Sequence, residues 1–410
     1  MSQPTFDASF FIGNRRRLRQ LFTGSAPIVV TGNAALQKSA DMAFPFHQDS
    51  NFWYLTGIEL ADVVLVMDKD TEYLIMPERS EVQDLFEGTI DQQALAERSG
   101  VSDILPAQDG WKRLSARIKR VKHVATMAAD DVFMQQHAMY ANPARAQLME
   151  RLRSYNESLE LLNLREHLMH MRFVKQEPEL AAIREAIRIT AATLREVTRP
   201  SKMTKYAHEY QIEAAVSHGF RRRGAVGHAY DPIVAAGRNA CVLHYTQNND
   251  QLADNQLVLM DVGAQYSHYA ADITRTVIRG EPTKRQRAVH DAVRQIHDFG
   301  VSLLKPGAVF LECEQEVRRM TGEKLRELGL IKTIDAESVH RYYPHAPHFL
   351  GLDVHDVGDY SAPLQPGVVL TIEPGIYIPE ENIGVRIEND IVITSDGHQN
   401  LSADLPYQLA

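Results

Sequence analysis

Four carboxylates in this 410-residue chain sit where carboxylates are costly. Asp261, Asp272, Glu373 and Glu388 fall in QLVLMDVG (256–263), HYAADITRTV (268–277), GVVLTIEPG (367–375) and GVRIENDIVI (384–393), runs otherwise rich in Val, Ile, Leu, Met and Ala. Such surroundings predict that each acid lies inside a strand, buried or lining a cleft. An unpaired buried carboxylate loses several kcal/mol of hydration, and clustered acids also repel one another. Cations are scarce nearby: Tyr342 to Val385 contains no Lys or Arg, and Arg386 is the nearest cation on the second pair of runs. Two divalent metal ions would balance four negative charges.

The segment YYPHAPHFLGLDVHDVG (342–358) places His345, His348 and His355 just before that second pair. One imidazole among oxygen ligands moves the preference from magnesium or calcium toward manganese, iron, cobalt or zinc, with manganese favoured. Two ions roughly 3.5–4 Å apart can share a bridging water and polarise a carbonyl, so the chemistry expected is hydrolysis.

The elements that must position these groups echo one another. QLVLMDVG and GVVLTIEPG each end in an acid and a glycine, and each is followed by a second strand with another acid. This predicts two hairpins in a pseudo-two-fold antiparallel sheet. Helical spacing predicts amphipathic helices over 176–197, opened by Pro178, and over 206–222, 284–304 and 309–328. Ahead of them the texture differs. APIVVTG (26–32), ADVVLVM (61–67) and TEYLIMP (71–77) are strand-like, the last two joined as a hairpin by a DKD turn. The reading is therefore an α/β amino-terminal domain, 1–165, followed by an α+β catalytic domain, 166–410.

The stretches LVLMDVGAQYSHYAADITRT, HFLGLDVHDVG, LTIEPGIYI and GVRIENDIVIT, in that order, resemble the signature segments of the Xaa-Pro aminopeptidase (aminopeptidase P) branch of the pita-bread metallopeptidases. SADMAFPFHQDSNFWYLTG is similar to the amino-terminal domain that precedes the catalytic domain in that branch. The resemblance implies five metal ligands, Asp261, Asp272, His348, Glu373 and Glu388, with Asp272 and Glu388 bridging two divalent ions, manganese foremost and cobalt or zinc as alternatives. It implies that Glu373 doubles as general base, that His244 steadies the tetrahedral oxygen, and that His355, His345, Tyr377 and Arg386 belong to the substrate pocket. The HAPH loop is one residue shorter than the family's pattern and lacks its glycine. Phe86 stands where some bacterial members carry a tryptophan that covers a neighbouring subunit's site. The activity implied is release of the first residue from peptides with proline second, by a homo-oligomer, either a dimer or a tetramer. Prolidase, restricted to dipeptides, is the alternative, and a non-catalytic peptide-binding protein of the same fold is a further one.

Composition excludes other classes. Hydrophobic residues make up 44% and charged residues 24%, a globular balance, and the formal net charge of 44 − 53 = −9 argues against nucleic acid as partner. No run of about 18 apolar residues occurs, so no membrane partner is expected. Two cysteines, Cys241 and Cys313, fit a reducing, cytoplasmic setting and read as small buried apolar residues. The runs Arg15–Arg17 and Arg221–Arg223 read as solvated surface, and Phe52 and Trp53 as core or interface.

Overall fold

The computed structural model describes residues 6–69, 71–128, 134, 138–344, 347–407 and 409. The chain forms two compact units that divide between Met171 and Arg172. Arg165–Phe173 is one helix, and this division falls in its last turn.

The first unit holds strands β1 (Ile28–Thr31), β2 (Gln37–Ser39), β3 (Met42–Ala43), β4 (Val64–Asp68), β5 (Thr71–Ile75), β6 (Ile104–Leu105), β7 (His123–Thr126) and β8 (Glu160–Asn163). Six of them form one mixed sheet in the order β6-β5-β4-β1-β7-β8. The expected hairpin is β4 and β5, with Asp68 opposite Thr71. Val29, Val66 and Ile75 on this sheet pack against Leu114 and Ile118 of helix Ala107–Ile118 and Leu148 and Leu152 of helix Ala144–Tyr155. Trp53 is core, edge-on to Phe6 and Phe11 at ring separations of 5.3 and 5.5 Å. Arg15 departs from the surface reading. Helix Ala8–Leu21 turns it onto the buried face with Phe11 and Leu18, where it donates to the carbonyls of Leu55 and Ser99 and pairs with Glu72. Helical spacing, not the charge of the run, decides which of the three arginines faces inward.

The second unit carries β9 (Gly227–His228), β10 (Ile233–Ala236), β11 (Gln256–Val262), β12 (Ala264–Tyr266), β13 (Tyr269–Ala270), β14 (Ile273–Arg279), β15 (Val369–Ile372), β16 (Gly375–Ile378), β17 (Ile383–Arg386), β18 (Asn389–Ile393) and β19 (His398–Asn400). β11 pairs antiparallel with β14 from Gln256↔Arg279 to Val262↔Ile273, and the short pair β12–β13 is nested in their connection. β15 pairs with β18 from Val369↔Val392 to Ile372↔Asn389, with β16–β17 nested in the same way. The echo in the sequence is therefore a hairpin within a hairpin, made twice. The halves join along 272–276 and 386–390: Glu388 N–H donates to Thr274 O, Arg386 N–H to Thr276 Oγ1, and Asp272 N–H to Asp390 Oδ2.

Helices Glu177–Val197, Glu209–Arg222, Lys284–Leu303 and Phe310–Glu327 match the helical spacing. Thr283 caps the third, its side chain accepting from Gln286 N–H while Gln286 accepts in return. Val289, Val293 and Ile296 of that helix meet Leu257 and Ile278 from the first half and Ile376, Val385 and Ile387 from the second. Each such burial contributes about 1.5–3 kcal/mol and ties both hairpins to one support. Gly263, just after β11, is required by close approach, since a Cβ there would lie 1.7 Å from Ala271 O.

Candidate metal centre

Of the four acids only Asp261 lies within a strand. Asp272 sits between β13 and β14, Glu373 between β15 and β16, and Glu388 between β17 and β18. The expectation that all four lie inside strands is corrected: three occupy the breaks where an outer strand gives way to the nested pair. A break frees the side chain from the alternation of sheet faces, so acids from both halves can turn toward one point.

They do converge. Ligand atoms of Asp272, His348 and Glu388 all lie within 4.8 Å of one another. His348 Nε2 is 3.4 Å from both Asp272 Oδ2 and Glu373 Oε1, and its Nδ1 is 3.1 Å from Phe349 O, which sets the ring with Nε2 toward the acids. Thr274 Oγ1 donates to Glu388 Oε2 at 2.6 Å. Arg386 Nη2 is 2.5 Å from Asp261 Oδ2, its Nε donates to Thr274 Oγ1, and its Nη1 donates to the Tyr377 hydroxyl. Tyr230, a residue that sequence reasoning missed, brings its hydroxyl to 2.6 Å from Asp261 Oδ1 and 2.5 Å from Asp272 Oδ1. Its only signal in the sequence is an aromatic residue ahead of Asp-Pro and an apolar run.

The charges are not balanced by the protein. Burial raises Asp261, but Arg386 and the Tyr230 hydroxyl outweigh it and hold that carboxyl below its ordinary range. Burial pushes the other three well up, reinforced at Asp272 by Asp261, at Glu373 by Glu388 and at Glu388 by Asp272. Burial likewise lowers His348, keeping the imidazole neutral and able to ligate. Glu388 Oε1 is buried and makes no hydrogen bond to a described residue. An orphaned carboxylate oxygen among acids that resist joint ionisation, beside a neutral imidazole, suits divalent cations.

The acids form the floor of a cavity of about 510 Å³. His244 and Thr246 line it on one segment, Val354 and His355 on another, with Asp231 and Leu243 also facing it. His244 and His355 are exposed, and the His355 ring packs 4.4 Å from that of His348. Tyr377 does not line the cavity. It is buried behind Arg386, its phenol pushed up by burial to about 12. His345 lies outside the described residues. Phe86 is 82% exposed on helix Glu81–Glu87 of the other unit.

Two further supports escaped the sequence. Asp356, next to His355, is fully buried between Arg172 and Lys175, the latter at 3.0 Å. Gly351 makes room for it, since a Cβ there would lie 2.0 Å from Asp356 Oδ2. Arg275 donates to the carbonyls of Thr274 and Glu388 at 2.8 and 2.7 Å and to Leu405 O at 2.9 Å, bracing the join between the halves from behind. The cysteines are half-buried rather than buried. Desolvation raises the Cys241 thiol to about 11, so it stays protonated and inert.

Comparison with known proteins agrees with this geometry. Residues 181–395 match the sequence model of metallopeptidase family M24, and residues 11–125 that of the aminopeptidase P N-terminal domain. The chain is 35% identical to the Xaa-Pro aminopeptidase of Escherichia coli (strain K12), over 95% of this chain and 94% of that one. It is 32% identical to Xaa-Pro aminopeptidase 3 of Rattus norvegicus, over 93% and 79%. Among solved structures, aminopeptidase P from E. coli with the inhibitor Pro-Leu superposes with a TM-score of 0.87 at 32% identity, covering 99% of this chain and 97% of that one. Proline aminopeptidase P II from Yersinia pestis gives 0.85 at 31%, covering 98% and 97%. With its acids gathered by two nested hairpins that follow an aminopeptidase P N-terminal domain in the sequence, this chain belongs to metallopeptidase family M24.

Proposed function

We propose that the protein is an Xaa-Pro aminopeptidase, releasing the first residue from peptides whose second residue is proline. The observation that carries the reading is the convergence of Asp272, His348 and Glu388, with Asp261 and Glu373 lining the same cavity and one carboxylate oxygen of Glu388 left unpartnered among the described residues. In this reading Asp261, Asp272, His348, Glu373 and Glu388 would hold two divalent ions. Bound there, the ions would supply Lewis acidity toward water and the scissile carbonyl. The oxygen-rich set favours manganese, with cobalt or zinc as alternatives. One relative is solved as Zn-substituted E. coli aminopeptidase P in complex with product.

This chain's own groups do the rest. Glu373 takes the proton of the attacking water and passes it toward the leaving prolyl nitrogen. His244, free to reorient at the cavity mouth, donates to the oxygen on which charge develops. His355, fixed by its neighbour Asp356, positions the peptide, and Arg386, held by Tyr377, keeps Asp261 in place and ionised. The Xaa-Pro aminopeptidases among the relatives favour this reading over prolidase, and the complete ligand set favours it over a non-catalytic binding protein. Residues 1–165 and 166–410 are proposed as its amino-terminal and catalytic domains. Two free thiols support a cytoplasmic setting, and Val82, Leu85 and Phe86, exposed along one helix, support assembly into a dimer or tetramer. Among the described residues no helix is long and apolar enough to cross a membrane.

The test is matched kinetics, with manganese present, on Xaa-Pro-Yaa, Xaa-Pro, Xaa-Ala-Yaa and N-acetylated Xaa-Pro-Yaa. Efficient cleavage of the first, slower cleavage of the second and almost none of the others is the expected pattern. A dipeptide preferred over its tripeptide makes the protein a prolidase, and indifference to proline removes both readings.

A further inference from the structure

Asp231 is the one carboxylate lining the cavity that the metal centre does not absorb. It is exposed, and it makes no hydrogen bond or ion pair with a described residue. Among the described residues Arg386 is the only Lys or Arg lining the cavity, and it is committed to Asp261, Thr274 and Tyr377. With two divalent ions set against the four floor acids, Asp231 is left as an uncompensated negative charge facing the space a substrate would fill.

Its place along that space follows from the strand register and, resting on the reading above, from the direction of proton transfer. Ile233 is paired with Asp261, and Asp231 precedes Ile233 by two residues; Ala229 N–H bonds Gly263 O. Residues 229–233 therefore run alongside 261–263, and Asp231 flanks the Asp261 side of the centre. Glu373, which delivers a proton to the leaving prolyl nitrogen, lies at the other side with His348. The peptide must then lie with proline toward Glu373 and its first residue toward Asp261, beside Tyr230 and Asp231. The apolar residues on this side, Ile233 and Leu243, suit the methylenes of a long side chain.

We infer that Asp231 selects for a cationic first residue, so that the favoured substrates begin Arg-Pro or Lys-Pro. The carboxylate at the rim pairs with the guanidinium or ammonium, while the aliphatic stem lies on Ile233 and Leu243.

The experiment compares kcat/KM for Arg-Pro-Yaa, Leu-Pro-Yaa and Glu-Pro-Yaa, identical beyond proline, in the manganese-loaded protein and in Asp231→Asn and Asp231→Arg. A rim ion pair contributes about fivefold at low ionic strength, so Arg should exceed Leu by about that factor, and Glu should be poorest. The preference should shrink as salt is raised. Asp231→Asn should bring the three values together, and Asp231→Arg should reverse their order. Equal loss on all three peptides would place the carboxylate at the α-amino group and overturn the assignment. Cleavage without preference in the unsubstituted protein overturns it alone. Failure to cleave any of the three overturns the reading of the activity and this assignment with it.

Discussion

The cluster around Asp272 and the cluster around Asp356 are equally buried but built in opposite ways. Asp356 and the half-buried Asp353 face Arg172 and Lys175, two charges against two, and burial at Asp356 is outweighed so that its carboxyl stays below the ordinary range. Around Asp272, by contrast, the four acids lining the cavity have Arg386 among them, committed to Asp261, and three of them are pushed upward, as is the buried Asp390 behind Asp272 despite Arg275. A cluster that satisfies itself fixes a loop, here the loop carrying His355. A cluster that cannot satisfy itself is a site waiting for cations. Burial alone does not distinguish the two; the count of opposing charges does.

The sharpest way to break this contrast is to remove one acid from each. Glu388→Ala should abolish the second metal and lower kcat/KM by more than about a thousandfold, since outer-shell partners alone cost 10–100-fold. Elemental analysis beside the kinetics checks it, and retention of both ions would make the two clusters alike. Asp356→Ala should instead leave Lys175 buried without its counter-charge and Arg172 with Asp353 alone, at about 3–5 kcal/mol of stability. Denaturant unfolding at fixed metal concentration measures that loss, and a change under about 1 kcal/mol would remove the distinction.

A smaller effect separates pocket from ligand. His355→Ala should reduce turnover by about 10–100-fold while metal content stays at the unsubstituted level, in contrast to Glu388→Ala. The last test uses pH. Asp272, Glu373 and Glu388 have raised values in the folded, metal-free chain, so they bind protons more tightly there than in the unfolded chain. Their contribution to stability is fully present below the ordinary carboxylate value near 4 and is lost as pH rises through the folded values. Asp356, with a lowered value, gives the opposite slope, lost only as pH falls below that range. Melting temperature in chelator should therefore fall as pH rises above the ordinary carboxylate range, and manganese should restore it. A flat chelated profile would mean the acids are balanced by the protein itself.

Much of the centre was legible because burial leaves a mark on composition. Asp261, Asp272, Glu373 and Glu388 stand out against apolar neighbours, and the doubled pattern of acid and glycine anticipates the two nested hairpins. Three supports were not legible. Tyr230, Arg275 and the Arg172–Lys175–Asp356 cluster act through partners 31 to 184 residues away, and no local period records such pairings. Arg15 misleads for the reverse reason: a run of like charges reads as surface, while its helical phase carries one member into the core. The placement of three acids in strand breaks was hidden as well, because apolar residues continue on both sides of each break.

The hydrogen bond from Thr274 to Glu388 joins residues 114 positions apart, and the join between halves has no short-range counterpart. Closing so long a loop costs entropy before any contact repays it. Either hairpin can form from its own neighbourhood in the chain, but the complete ligand set exists only once the two have met. We expect this part of the molecule to mature late in folding. A half-formed chain would offer incoming ions one pair of acids, a weaker and less selective trap than the finished centre.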